Sequence, residues 1–227
     1  MYCLKCDNIS VESSESCLVC GSPRNLDADA YFKHGMKAMS IGHFDKAAGM
    51  LGECIALHPN HFSGRFNYAL TLALQDNCDE AVEQFEILAE RDPEYPGVYT
   101  AMGQAAMGSY LKHMGQARER RRSMIDLLRT AVEMDPEDVD ALFSLGNAYM
   151  ATGNASKALP WLKNALLIQP DSAAIYFSIA KAFVNLKKIH EASTMAKKAM
   201  ELSSPKDPFW DDIRGLASEL QQTGFSF

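Results

Sequence analysis

Four cysteines near the N-terminus have the spacing of a metal site. Cys3 and Cys6 form one C-x-x-C pair, and Cys17 and Cys20 form a second pair after a gap of ten residues. Two such pairs supply four thiolates, which are the closed tetrahedral ligand set of a structural zinc site. Because all four positions are protein ligands, we expect no open position for water and no catalysis at the metal.

Residues 1–26 resemble a minimal zinc ribbon, and the resemblance covers only these residues. Two disulfides and four unrelated thiols are the alternatives. A reducing compartment disfavours the disulfides, and the spacing disfavours unrelated thiols. Iron, as in rubredoxin, also suits four sulfur ligands, but the gap between the pairs is short for that family, so zinc is preferred. A unit this short is expected to need its one zinc ion in order to fold.

The other candidate nucleophiles and ligands lack partners in the sequence. We interpret Cys54 as a small buried apolar residue rather than a nucleophile, and Cys78, at the turn of the second repeat, as inert. His58 and His61 are close enough in sequence to share a metal, but an exposed turn around Pro59 is the preferred interpretation. Since no phosphate loop, nucleophile elbow or open metal position appears, the sequence predicts a protein that is not an enzyme.

The composition is that of a globular protein. The 227 residues are 47% apolar and 22% charged, with a net charge of −7. No stretch approaches the apolar run of a membrane span, and the N-terminal residues lack the basic and apolar regions of a secretory signal. We therefore expect a cytoplasmic protein. The acidic total argues against a general nucleic-acid binder.

Landmark residues recur at a fixed period along the rest of the chain. A small residue on the first of two short helices appears five times, as Gly35, Ala69, Gly103, Gly146 and Ala180. A proline closes the first four units, as Pro59, Pro93, Pro136 and Pro170. Successive landmarks are 34 residues apart, except for a step of 43 residues into the fourth unit. In each unit the apolar residues lie on one face of each helix.

This pattern resembles the tetratricopeptide repeat (TPR) family. The resemblance implies an all-α fold, in which five repeats stack into a right-handed α-α superhelix behind the small N-terminal zinc ribbon. The predicted repeats are residues 28–61, 62–95, 96–138 with an insertion, 139–172 and 173–204, followed by a capping helix and tail in residues 205–227. Asp45, Asp79 and Asp207 are each predicted to cap a helix, with Pro208 as the first residue of the last one.

The insertion in the third repeat lies next to a run of arginines. Nine extra residues fall around the stretch GSYLKHMGQARERRR, which ends in the cluster Arg118, Arg120, Arg121 and Arg122. The cluster would suit phosphate or an acidic partner. The preferred interpretation is a lengthened helix whose charged side faces water, since charge runs usually do.

The first helix of each repeat lines the concave groove in the TPR family. Positions five, nine and twelve of a repeat lie on the side facing away from the second helix. The residues predicted to line the groove are Phe32, Met36, Met39, Phe66, Leu70, Thr100, Gln104, Met107, Phe143, Asn147, Met150, Phe177 and Lys181. This lining is apolar and rich in methionine, which favours a protein partner that presents an apolar segment. Alternatively, the phenylalanines pack between repeats as part of the core.

The preferred function is a non-enzymatic interaction scaffold or adaptor that binds an apolar peptide segment in the groove. One alternative is a nucleic-acid-associated regulatory factor that uses the zinc ribbon and the arginine cluster. Another is a chaperone for apolar segments of secreted or assembling proteins. Self-association is a variant of the first function, in which Phe225 and Phe227 of the C-terminal tail occupy a groove.

Overall fold

The computed structural model describes residues 27–113 and 117–222, with only the backbone described for residues 117–122 and 221–222. The predicted zinc ribbon and the tail in residues 223–227 therefore lie outside the described residues. The described chain consists of helices and turns, without a strand. It divides into two compact units on either side of the Lys112–His113 bond.

The first unit contains five helices. They are α1 (Ala28–Ser40), α2 (Phe44–Leu57), α3 (Phe62–Leu74), α4 (Cys78–Arg91) and α5 (Pro96–Lys112). Each helix packs against the next one along the chain. The helix α3 also contacts α1 and α5, so the first helices of successive repeats lie side by side.

The second unit contains six helices. They are α6 (Ala117–Met134), α7 (Val139–Ala151), α8 (Ala155–Ile168), α9 (Ala173–Asn185), α10 (Ile189–Leu202) and α11 (Trp210–Gln222). Consecutive helices pack against each other here too, and α7 contacts α9. The inserted residues of the third repeat lengthen both of its helices, because α5 has 17 residues and α6 has 18, whereas α1 has 13 and α2 has 14.

Glycine lets the two helices of a repeat approach closely. A Cβ atom built at Gly35 would lie 2.7 Å from Cγ of Leu51, and one built at Gly146 would lie 2.6 Å from Cγ of Leu162. Both leucines are fully buried, and a close-packed core leaves them no free space to move into. The prediction that this repeat position needs a small residue for helix packing is confirmed at both glycines.

The turn between the two helices of a repeat uses one left-handed residue. Position fifteen of four repeats has a positive φ, at Gly42 (76°), Asp76 (65°), Gly153 (77°) and Lys187 (58°). Glycine adopts this conformation freely, whereas a residue with a Cβ atom loses about 1–2 kcal/mol there. The turn at Asp76 has an added contact, because the Lys112 ammonium donates to the Asp76 carboxylate at 2.8 Å and to its carbonyl oxygen at 2.9 Å.

A side chain caps the first helix in four of the repeats. The residue before the helix accepts a hydrogen bond from the backbone N–H three residues on, at Asp27 (2.7 Å), His61 (2.8 Å), Asp138 (3.0 Å) and Ser172 (3.4 Å). Each cap satisfies one of the N–H groups that an α-helix leaves without a partner at its start.

The predicted caps on the second helices are wrong. The helices α2 and α4 begin at Phe44 and Cys78, so Asp45 and Asp79 lie inside the first turn rather than before it. Their carboxylates accept hydrogen bonds from the following repeat instead, Asp45 from Nε2 of Gln75 at 2.6 Å and Asp79 from the hydroxyl of Ser109 at 2.5 Å. Both bonds span 30 residues, and each joins position eighteen of one repeat to position fourteen of the next.

The last helix begins later than predicted. The carboxylate of Asp207 accepts a hydrogen bond from the backbone N–H of Ser204 at 2.6 Å, and its carbonyl oxygen accepts one from Trp210 at 3.1 Å. These bonds close a turn that includes Pro208, and the helix starts at Trp210. The helix α11 packs against α10 and has three fully buried apolar side chains, Ile213, Ala217 and Leu220.

Candidate functional site

The first-helix face of the first unit carries eight of the predicted groove residues on α1, α3 and α5. Six of them are half-buried, namely Phe32, Met36, Met39, Phe66, Leu70 and Met107. Phe32 packs against two buried clusters of the first repeat, one around Tyr31 and one around Leu51. Its inner edge therefore belongs to the core, while part of the ring remains accessible.

Phe66 belongs to an aromatic cluster that extends this face. Its ring lies 5.5 Å from the ring of Phe85, which has 0% exposure, in an edge-to-face arrangement. It also stacks on Phe62 at 6.3 Å, and Phe62 in turn contacts Tyr95 at 5.3 Å. Tyr95 is 44% exposed, so the cluster reaches from the core to the surface. The groove prediction did not include Phe62 and Tyr95, because they lie at the first and last positions of the second repeat rather than at positions five, nine and twelve.

His61 holds the joint between the first two repeats. Its Nδ1 caps α3, its Nε2 lies 3.3 Å from the Asp29 carboxylate, and its ring lies 5.0 Å from that of Phe32. Since both ring nitrogens have partners, His61 fixes the position of α1 relative to α3. The ring of His58 lies 5.9 Å away, edge-on to His61. His58 is exposed, as predicted for a turn, whereas the His61 side chain is only 14% exposed, which differs from the prediction.

One position on this face differs from the prediction. Thr100 is only 6% exposed, and its hydroxyl donates to the carbonyl oxygen of Pro96 at 3.4 Å, so it lies in the core of α5 rather than in a groove. Met39 is half-buried, and its sulfur lies 3.7 Å from the hydroxyl of Thr71 in the next repeat. The polar residue Gln104 is exposed, as predicted.

The first-helix face of the second unit carries the remaining groove residues. Phe143, Asn147 and Met150 on α7 and Phe177 on α9 are half-buried, and Lys181 is exposed. The ammonium of Lys181 lies 5.2 Å from the centre of the Phe177 ring, where a cation–π contact covers part of that ring. This face is thus apolar along α7 and more polar along α9.

The two cysteines of the described chain are buried thiols. Burial raises the pKa of the Cys54 thiol, and the nearby Asp29 carboxylate raises it further. Burial also raises the pKa of the Cys78 thiol, with Asp76 adding to the effect. Because the thiolate is the reactive form, both side chains are poor nucleophiles at neutral pH. The predicted burial of Cys54 is confirmed, and Cys78, which was predicted only to be inert, is buried as well.

The other predicted sites fall outside the described side chains. Cys3, Cys6, Cys17 and Cys20 precede the first described residue, and Arg118, Arg120, Arg121 and Arg122 lie on α6 where only the backbone is described. Among the described residues, no group of three or more histidine, cysteine, aspartate and glutamate side chains could hold a metal ion. None of the described helices is both long and apolar enough to cross a membrane.

An open cleft of about 590 Å³ lies away from the groove residues. Its lining comes from the turn before α2 and from the end of α3, and includes His43, Phe44, Leu74 and Gln75. None of the predicted site residues contributes to it.

Comparison with known families agrees with the helical repeats. Three tetratricopeptide repeat models match residues 32–96, 125–176 and 173–205, which together make up more than half of the chain. The chain belongs to the tetratricopeptide repeat family. TPR proteins are generally interaction scaffolds rather than enzymes, so the fold supports a role in protein–protein interaction. No curated protein matches the sequence.

Solved TPR structures share this fold at low sequence identity. TTC0263, a thermophilic TPR protein of Thermus thermophilus, has a TM-score of 0.70 at 21% identity, over 86% of this chain and 99% of its own. MamA from Desulfovibrio magneticus RS-1 gives 0.66 at 18% identity, over 79% and 97% of the two chains. YrrB, described as a TPR protein with an unusual peptide-binding site, gives 0.61 at 16% identity, over 86% and 92%.

Proposed function

We propose that this TPR protein is an interaction scaffold whose first-helix faces bind an apolar peptide segment of a protein partner. The observation that carries the proposal is the half-buried phenylalanine at position five of four repeats, Phe32, Phe66, Phe143 and Phe177. All four side chains are at the same repeat position of a first helix, and none of them is fully buried. Apolar groups repeated on one face are typical of a binding surface.

The packing of Phe32 and Phe66 favours binding over a purely structural role. Their inner edges are held by buried residues, so little side-chain entropy remains to be lost when a ligand covers the outer edges. The methionines Met36, Met107 and Met150 are half-buried on the first helices of their own repeats, and their flexible side chains adapt to different apolar ligands. The peptide-binding site of YrrB provides a precedent within this fold.

A peptide array tests this function. Fifteen-residue peptides of graded hydropathy are probed with the full-length protein, and peptides that bind are then titrated in solution. Phe66→Ala and Phe143→Ala should each weaken binding by on the order of 2 kcal/mol, or about thirtyfold in Kd, as expected for aromatic residues that dominate an interface. Testing them singly separates the faces of the two units.

Leu167→Ala is the matched control. Leu167 is 82% exposed on α8, outside the proposed face, so its removal should leave the affinity unchanged. Circular dichroism of each variant checks that the helices remain intact. If the phenylalanine variants unfold at lower temperature but their folded fraction binds peptide as the wild type does, the rings are core and the proposal fails.

The C-terminal tail is a candidate ligand for these faces within the same proposal. Phe225 and Phe227 are aromatic, so we propose that they occupy a face of the same chain or of a second chain. Removal of residues 223–227 should then raise the affinity for the array peptides and reduce any association seen by sedimentation. If the shortened protein keeps the peptide affinity and the sedimentation mass of the full-length protein, the tail is not the ligand and the faces bind an external partner.

We also propose that Cys3, Cys6, Cys17 and Cys20 bind one structural zinc ion. Protein purified without added metal should contain about one zinc per chain, because four thiolates form one closed tetrahedral site. Cys17→Ser with Cys20→Ser should abolish the metal, while Cys54→Ala with Cys78→Ala should keep it. Iron in place of zinc would change the metal assignment, and metal that survives the serine changes would refute the ligand set.

A further inference from the structure

Two arginines of the second repeat occupy positions that are apolar in every other repeat. Position four lies in the first turn of the first helix, and position thirty ends the second helix. These positions hold Tyr31 and Leu57, Tyr99 and Met134, Leu142 and Ile168, and Tyr176 and Leu202 in the other four repeats. In the second repeat they hold Arg65 and Arg91. A pair of apolar residues has thus been replaced by a pair of positive charges.

The two guanidinium groups meet at one backbone oxygen. Nη1 of Arg91 donates to the carbonyl oxygen of Pro59 at 2.7 Å, and Nη2 of Arg65 donates to the same oxygen at 3.2 Å. Nη1 of Arg65 donates to the side-chain oxygen of Gln84 at 2.5 Å. Nε of Arg65 is buried and has no hydrogen-bond partner among the described residues. All the partners that the arginines have here are neutral.

The electrostatics of this pair are unfavourable without a counter-ion. No carboxylate of the described residues forms an ion pair with either arginine. Burial lowers the pKa of Arg65, and the positive charge of Arg91 lowers it further. Arginine nevertheless remains charged in proteins, so two like charges share one carbonyl at the edge of the core.

The N–H donors of the two guanidinium groups indicate which kind of ligand would bind them. Guanidinium groups present planar pairs of N–H donors that match the two oxygens of a carboxylate or the oxygens of a phosphate. Arg91 is exposed and Arg65 is half-buried, so an anion can approach from solvent. We propose that Arg65 and Arg91 form a binding site for an oxyanion, a carboxylate or a phosphate, carried by a protein partner.

This site is independent of the proposed peptide-binding faces. Arg65 is at position four, which faces the second helix of its repeat, and it is hydrogen-bonded to Gln84 on that helix. The site lies at the loop that contains Pro59, between the first two repeats. An acidic group bound there would add charge recognition to a scaffold whose first-helix faces are apolar.

Anion titrations followed by NMR test the site directly. The Nε–Hε signals of Arg65 and Arg91 in the full-length protein are recorded with sodium phosphate, sodium acetate or sodium chloride at matched ionic strength. Saturable shifts in phosphate, acetate or both, and larger than those in chloride, are expected. A response to phosphate alone points to a phosphorylated partner, and a response to acetate points to an acidic side chain or chain end. Equal responses to all three salts would overturn the proposal.

Variants that restore the residue types of the other repeats complete the test. Arg91→Leu, alone and with Arg65→Tyr, should reduce the affinity for the responding anion at least tenfold. Lys197→Leu removes an exposed positive charge from α10 and should leave the affinity unchanged. The single variant serves if the double variant does not fold, since Arg91 is exposed at the end of its helix. Retention of wild-type affinity in Arg91→Leu would show that the arginines only hold the Pro59 loop.

Discussion

Replacing Gly153 by alanine tests the left-handed turn between the two helices of a repeat. The φ of Gly153 is 77°, and a Cβ atom built there would meet nothing within 4 Å. Steric contact with other residues therefore has no part in the outcome, and only the backbone conformation is tested. Gly215 on α11 is the matched site, because its Cβ would also meet nothing within 4 Å but its backbone is helical.

Gly153→Ala and Gly215→Ala should change the free energy of unfolding in opposite directions. A left-handed residue with a Cβ atom costs about 1–2 kcal/mol, while alanine also reduces the entropy of the unfolded chain by the equivalent of about 0.4–1 kcal/mol. Gly153→Ala should thus lower the free energy of unfolding by about 1 kcal/mol. Gly215→Ala should raise it by up to about 1 kcal/mol, since alanine is the better helix former. Lys187→Gly removes the strain at the equivalent turn of the fifth repeat and should raise the free energy of unfolding.

Urea denaturation followed by circular dichroism measures these differences. With a slope of about 2 kcal/mol per molar urea, a change of about 1 kcal/mol moves the midpoint by about 0.5 M. The midpoint should fall for Gly153→Ala and rise for Gly215→Ala and Lys187→Gly. A Gly153→Ala protein as stable as the wild type would refute the assignment of a strained left-handed turn at this position.

Two further predictions concern the buried contacts of the repeats. Gly146→Val should lower the free energy of unfolding by about 1–3 kcal/mol, because its side chain would overlap Leu162. An additional Leu162→Ala change should recover part of this loss in the same urea assay, and no recovery would contradict the proposed overlap. Burial raises the pKa of Cys54, so the thiol of the unfolded state loses its proton at a lower pH than the thiol of the folded state. The free energy of unfolding is therefore unaffected by this group below pH 9.0, the ordinary thiol pKa, and falls as the pH rises above it. Cys54→Ala should make this alkaline loss shallower by up to about 1.4 kcal/mol per pH unit, and identical slopes in both proteins would show that the thiol is not protected.

The predictions that succeeded depend on residues whose role is local or repeated. The small residues at Gly35 and Gly146 recur at one repeat position, and each meets a leucine of the same repeat. The cap at Asp27, which we did not predict, likewise needs only the next three residues. Asp45 and Asp79 failed as predicted caps because their partners, Gln75 and Ser109, belong to the following repeat.

The groove residues show which properties of a side chain a repeat pattern predicts and which it does not. Helical geometry placed Phe66 and Phe143 on the side away from the second helix, and both are half-buried. The Phe66 ring nevertheless contacts Phe85 on α4, the second helix of its own repeat, so its predicted direction is only partly right. The same pattern placed Thr100 in the groove, yet it is buried within the first unit. A pattern gives the direction of a side chain from its helix, whereas the neighbouring helices determine how much of that side chain stays accessible.

The sequence by itself determined the repeat family and the phase of its helices, because the 34-residue spacing and the apolar periodicity are properties of one chain read in order. It also showed that Arg65 and Arg91 replace apolar residues at their repeat positions. Only the tertiary structure placed both guanidinium groups on the carbonyl oxygen of Pro59, without an acidic partner among the described residues. The physical reason is that a hydrogen bond between repeats depends on distances set by helix packing, and residues 59, 65 and 91 have no fixed geometry until the helices that carry them have packed.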